Sequence, residues 1–296
     1  MSGVQMKLVV RASVLMLLSL CSSVTVAAEQ VVLLLSTLDN PFFIAMKQGA
    51  ERKAVELGVE LQVLNSNDDP AQERQHIDSI IAAKANVVLF NPTDSYLSAQ
   101  SVQRLNAAAI PLITLDRHVE RATVASHIAS DNVSGGMLAG NFIAKALGAK
   151  TVVAQIEGNA DTSATIERGE GFALAVRTNQ FLLKASQQGD FDRHGGYLAT
   201  QKMLLENPSI EAIFAHNDEM ALGAIEASRQ LGRAPLIVGF DGSKAALQAV
   251  KQGGLAATIA QRPKMIGSMG VASAVRLLQG KLVALHQPVP LQLISQ

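Results

Sequence analysis

Thirteen polar and aromatic side chains of this sequence could be brought together at strand ends. In the first half they are Ser36, Asn40, Phe42, Phe43, Asn91, Asp116 and Arg117; in the second, Arg168, Phe191, Asn217, Phe240, Asp241 and Gln261. The two aspartates and two arginines cancel, so the set suits a neutral ligand better than a carboxylate or a phosphate. Amides and carboxylates supply the donors and acceptors that hydroxyl groups need, and rings can cover the C–H faces of a sugar. Taken singly, each residue could as well be a cap, a turn or a surface ion pair. Their joint placement is what reads as a sugar site.

The elements that must position them are short β-branched runs alternating with helical patterns, the signature of a parallel sheet covered on both faces. The runs are 31–35, 60–64, 87–90 and 112–115, then 151–156, 181–185, 212–215 and 236–239. The two series resemble each other. The third runs lead into Asn91-Pro92-Thr93-Asp94 and Asn217-Asp218, and the fourth runs, "LITLDR" and "LIVGFDG", place Asp116 and Asp241 at equivalent ends. One α/β unit is used twice. Ligands of open α/β sheets sit beyond the carboxyl ends of the strands, so two facing units would make a cleft lined by these loops.

The stretch "STLDNPFF" at 36–43 has a local reading. Asn40 suits an N-cap and Pro41 the first helical position, where its missing N–H costs nothing. Phe43, Met46, Ala50, Ala54 and Leu57 then form an apolar stripe closed by Gly58, which makes core packing an open alternative for Phe43. Phe42 lies about 100° away around the helix and is expected to line the cleft.

Before the first strand, Lys7 and Arg11, the apolar segment 14–20 and the small residues Val26-Ala27-Ala28 read as a secretory signal, 1–28. A lipid anchor at Cys21 is disfavoured by the bulky Leu20 before it. Cleavage after Ala28 removes the one cysteine, Lys7 and Arg11, leaving 23 basic against 25 acidic residues, a net charge of −2. That balance excludes a nucleic-acid or anionic-membrane partner as a main role. The remaining chain, about 268 residues, suffices for two ordinary domains. An enzyme is disfavoured because no dinucleotide or phosphate-loop motif follows the first strand and Ser36 has no neighbouring histidine. The six histidines show no metal spacing, so neither metal nor cofactor is expected.

The segments "STLDNPFF", "NPTDS", "ITLDR", "SHIASDN", "ERGEGF", "DFDR", "NDEMALGA", "VGFDG" and "ATIAQ" occur in order. Together they resemble the D-ribose-binding proteins of bacterial periplasms, of the type I periplasmic binding protein-like fold, over essentially the whole mature chain. The resemblance implies that all thirteen residues named above hold a pentose, with Phe42 and Phe43 clamping the pyranose. It also implies two doubly wound parallel-sheet domains joined by a three-segment hinge near 130–131, 261–262 and 290–291. The first lobe would comprise 29–130 plus 262–290, and the second 131–261 plus 291–296. The expected role is a periplasmic, monomeric substrate-binding protein delivering D-ribose to the membrane permease of an ABC importer. Presentation of the sugar to a chemotaxis receptor is a further possibility of that resemblance, and allose, galactose or a furanose signal are alternative ligands. A lactose-repressor-type regulator shares the fold, but an apolar leader stands where its helix-turn-helix would be. Asp39 and His216 depart from the family's usual residues; with His118, expected at the surface, and His127, expected to be structural, they are read as bystanders.

Overall fold

The computed structural model describes residues 30–296, so the leader, its cleavage site and Cys21 lie outside the described residues. The chain begins β1 (Gln30–Leu35), α1 (Pro41–Leu57), β2 (Glu60–Asn65), α2 (Pro70–Ala83), β3 (Val87–Phe90), α3 (Ala99–Ala107), β4 (Leu112–Leu115) and β5 (Ser126–Ser130). It continues α4 (Asn132–Leu147), β6 (Val152–Glu157), α5 (Ser163–Thr178), β7 (Leu182–Gln188), α6 (Arg193–Glu206), β8 (Ala212–Ala215), α7 (Asp218–Gln230), β9 (Leu236–Asp241), α8 (Lys244–Lys251) and β10 (Ala257–Ala260). It ends α9 (Pro263–Leu278), β11 (His286–Val289) and β12 (Gln292–Ser295).

These strands form two six-stranded sheets of identical plan, β2-β1-β3-β4-β5-β11 and β7-β6-β8-β9-β10-β12. Every pairing is parallel except that of β12 with β10. The repeat read in the sequence is therefore structural, down to strand order. The chain passes between the two sheet systems after β5, after β10 and between β11 and β12. Those passages use four strands, β5, β10, β11 and β12, that lie outside the eight apolar runs. Polar residues in each, and Pro288 in β11, keep them from reading as core; Pro288 is tolerated because β11 is an edge strand.

Helices cover both faces of each sheet, which is why β1 is apolar from Val31 to Leu35. Val31, Leu33 and Leu35 pack in a core with Met46 of α1 and Ile266 of α9, whereas Val32 and Leu34 face Ile77 and Val102 of α2 and α3. Truncating a fully buried leucine such as Leu34 to alanine would cost roughly 2–5 kcal/mol. The second sheet repeats the arrangement around Ile156, Ile213 and Phe214. Helix α9 joins the first sheet through a tight crossing with α1, where a Cβ on Gly267 would come within 2.1 Å of the Met46 carbonyl oxygen.

Helix α1 starts and stops as its sequence requires. Asn40 Oδ1 accepts from Phe42 N at 2.9 Å, Pro41 opens the helix, and Gly58 closes it at φ 68°. Leu57, the last residue of the helix, departs from the expected stripe: it is 41% exposed. Strand β9 runs two residues beyond the apolar run, so Phe240 and Asp241 lie on the strand. Among the described residues no helix is long and apolar enough to cross a membrane, and no cluster of His, Cys, Asp or Glu could hold a metal ion.

Candidate binding cleft

The carboxyl ends of the two sheets face each other across a small cavity. Its walls bring together ten of the thirteen residues: Asn40, Phe42, Phe43, Asp116 and Arg117 from the first series, and Arg168, Phe191, Asn217, Asp241 and Gln261 from the second, with Ala164 added. The capped turn into α1 puts both of its rings there. Phe42 and Phe43 meet edge to face, centroids 5.3 Å apart at 86°, a preferred geometry for aromatic pairs. Both also belong to the core around β1, so the contrast between a cleft-facing Phe42 and a core-facing Phe43 does not hold.

Two buried arginines are fixed mainly by neutral oxygen acceptors and aromatic rings. Arg168 Nε donates to Asn132 Oδ1 at 2.9 Å and Nη1 to the His216 carbonyl at 2.6 Å. Arg117 Nη1 donates to the Pro92 carbonyl at 3.1 Å, and its guanidinium sits 5.3 Å from the Phe43 ring centroid and 5.6 Å from that of Phe191. Arg117 Nε is buried without a protein partner, as is Gln261 Oε1. One orphaned donor and one orphaned acceptor on cavity-lining residues suit a ligand that offers both, as a hydroxyl does.

The two carboxylates are almost fully enclosed. Burial pushes Asp116 above the ordinary carboxylate value, with Arg168 and Arg117 pulling it back. Burial likewise pushes Asp241 well above that value, against Arg168. Hydroxyl donors against these oxygens would favour the charged forms. Burial also lowers both arginines, the cost of holding a cation away from water.

Three expected residues lie behind the wall. Ser36 Oγ donates to Asn91 Oδ1 at 2.7 Å, and Asn91 Nδ2 to the Leu115 carbonyl at 3.0 Å. These bonds tie the ends of β1, β3 and β4 together and present Asp116. Phe240 lies beneath the Arg168 guanidinium. Asn217 reaches the wall but also works as a cap: its Oδ1 accepts from Met220 N, and its Nδ2 holds the Phe191 carbonyl at 2.9 Å.

Some contributors are invisible in a list of polar residues. Gly158 seats Phe191, since a Cβ there would come within 2.1 Å of the ring. Asn132, at the start of α4, orients Arg168. Asp116, Phe191 and Asp241 have φ values of 63°, 61° and 126°. Positive φ at non-glycine residues is uncommon, and here three site residues share it. A wider opening beside the cavity carries Asp39, Asp68, Asp190, Asp192 and Glu219 against Arg117 and Arg193, an acidic rim that disfavours anions.

Two like α/β units with a polar, ring-lined cavity at their facing strand ends define a two-lobed small-molecule binding protein. The chain belongs to the periplasmic binding protein family: the model of the periplasmic binding protein domain matches residues 31–282. It is similar to the ribose import binding protein RbsB of Haemophilus influenzae, 48% identical over 284 residues covering 96% of this chain and 97% of that protein. The protein of the same name from Escherichia coli is 44% identical over 97% of this chain and 98% of its own. Among solved structures, an ABC-transporter periplasmic solute binding protein from Actinobacillus succinogenes with bound D-allose superimposes at TM-score 0.84 and 30% identity, covering 90% of this chain and 97% of that one. The chain is thus a binding protein and not an enzyme.

Proposed function

We propose that the protein is the exported, periplasmic substrate-binding component of an ABC importer, that its ligand is D-ribose, and that its lobes close around the sugar. The lobes are 29–130 plus 262–290 and 131–261 plus 291–296. The observation that supports this most is the composition of the cavity: two carboxylates and two arginines in charge balance, three rings and three amides, drawn from both sheets. Neither lobe alone satisfies a ring of hydroxyls, so a sugar touching both favours the closed form, and a membrane permease can recognise that form. The relatives named for ribose import, matched near full length, support the same ligand. In this reading ten of the thirteen residues touch the sugar, while Ser36, Asn91 and Phe240 hold the wall from behind. The carrier acts as a monomer, and presentation to a chemotaxis receptor would use the same closed form.

A second reading keeps the role and changes the sugar, since a structural neighbour at TM-score 0.84 and 30% identity holds D-allose. Calorimetry against D-ribose, D-allose, D-galactose and other pentoses and hexoses decides between them. D-ribose is expected to bind tightest; preference for a hexose would move the assignment to the second reading, and no binding across the panel would remove both.

A further inference from the structure

His118 stands outside the cavity, in the segment after β4, and it touches both lobes. Its Nε2 lies 2.9 Å from Glu120 Oε1 in its own lobe, and its Nδ1 lies 3.3 Å from Glu167 Oε1 on α5 of the other. Its backbone N–H donates to Ser163 Oγ at 3.0 Å, again across the cleft. Two more bonds cross beside it, from Ser163 N to Ser95 Oγ at 2.9 Å and from Ser95 N to the Asp161 carbonyl at 2.8 Å. This is a patch of lobe-to-lobe contact that owes nothing to the ligand.

A neutral imidazole carries one N–H and cannot donate to two carboxylates; the imidazolium can. We propose that His118 is a protonation-dependent latch between the lobes: as an imidazolium it bridges Glu120 and Glu167 and favours closure, and once neutral it lets the Glu167 contact go. The proposal rests on the reading of the molecule as a closing carrier and adds a pH dependence to its affinity. His118 is a positioning residue, acting on the sugar through lobe closure. A path from latch to cavity is present. Glu167 Oε2 accepts from Asn132 Nδ2 at 2.8 Å, and Asn132 Oδ1 accepts from Arg168 Nε at 2.9 Å.

The charged and titratable neighbours support this direction. The hydrogen bond to Glu167 is the largest cause raising His118, to about 9, with burial opposing and Glu120 adding. Burial raises the Glu167 carboxyl, but the bonds from His118 and Asn132 outweigh it, leaving its pKa below the ordinary value. His127 of β5 faces His118 edge to face at 5.8 Å; burial and the His118 charge hold it down at about 4, with His286 of β11 acting the same way. His127 therefore stays neutral and does not compete for Glu167. In the open form His118 keeps only Glu120, so closure favours proton binding. The latch is fully present below the ordinary histidine value near 6.5 and is lost as pH rises through about 9.

The test is calorimetric titration of D-ribose into the full mature protein at pH 6.5 and pH 9.5, with H118Q and E167Q beside the parent. Since a partly exposed ion pair contributes up to about 1 kcal/mol, the parent is expected to bind about fivefold tighter than either variant at pH 6.5 and equally at pH 9.5. Proton uptake on binding at pH 8 should be measurable in the parent and near zero in H118Q. Identical pH profiles, or a uniform loss of affinity at both pH values, would overturn the latch and leave the carrier standing. A parent that bound no sugar at either pH would overturn the carrier reading and the latch with it.

Discussion

The Arg168 guanidinium sits over the Phe240 ring, its central carbon 3.9 Å from the ring centroid. A cation over an aromatic face is attracted by the ring quadrupole, by about 2 kcal/mol where water is excluded. Phe240 lies near the carboxyl end of β9, fully buried, with Gly135 of α4 leaving room for its edge. The ring thus supports the arginine from beneath.

Replacing Phe240 with leucine keeps an apolar filler and removes the quadrupole. F240L should weaken D-ribose binding by about 1–2 kcal/mol in calorimetry, mostly as faster release. R168A should weaken it by at least about 2 kcal/mol, since it removes a charge-assisted donor and leaves Asn132 and the His216 carbonyl unpaired. In the double variant the two losses should not add, because the ring acts through the arginine. Additive losses would mean that Phe240 serves the core alone.

Gly158 is the second site of leverage. G158A is expected to fold, since the position follows β6 in a loop, but to displace Phe191 from the cleft. Affinity should fall about tenfold or more, the scale of losing one good aromatic contact. F191A should lose a similar amount, and G158A in the F191A background should cost little further. A G158A protein with parental affinity would show that the ring can find another seat.

These two positions also show what sequence could and could not reveal. Asp116, Arg117 and Asp241 were legible because they stand directly after apolar runs at equivalent ends of the two series, whereas Arg168, in the middle of α5, was legible only through the resemblance carried by "ERGEGF". The capped turn Asn40-Pro41 was legible because cap chemistry is local. Gly158 was not, since its role is the absence of a side chain opposite a ring 33 residues away in sequence. Ser36 and Asn91 were read correctly as strand-end residues, but only the register of β1 against β3 places one hydroxyl on the other's amide. His118 looked like a surface residue because the carboxylate that gives it a role belongs to the other half of the chain.

His216 carries a pH dependence of stability. It is fully buried, neither ring nitrogen has a protein partner, and burial together with Arg168 lowers its pKa to about 3. The folded protein therefore binds this proton more weakly than the unfolded chain, whose histidine titrates near 6.5. The stability this neutral ring permits is present above about pH 6.5 and is lost progressively as pH falls toward 3. H216L removes both the unpaired nitrogens and the titration. It should raise the melting temperature modestly at pH 7 and by a larger margin at pH 5, measured by circular dichroism. An equal shift at both pH values would place the acid sensitivity elsewhere, with His127 the next candidate.

Lobe closure has its own signature in solution. The first lobe contributes Asn40, Phe42, Phe43, Asp116 and Arg117 to the cavity, and the second Arg168, Phe191, Asn217 and Asp241, with Gln261 at a crossing between them. A ligand that touches both sets has higher affinity for the closed arrangement than for any open one, and that difference is what can shift the population. At a hundredfold excess over its dissociation constant such a ligand should also stabilise the fold by about 2.7 kcal/mol. D-ribose should therefore lower the radius of gyration in small-angle scattering and raise the melting temperature together. F191A, which removes a second-lobe contact and leaves the first lobe intact, should reduce both responses in proportion. If the sugar bound and stabilised the protein while the radius of gyration stayed that of the free form, the free protein would already be closed. The latch at His118 would then be strong enough to hold the lobes together unaided, and H118Q at pH 6.5 should restore the difference in radius between free and bound protein.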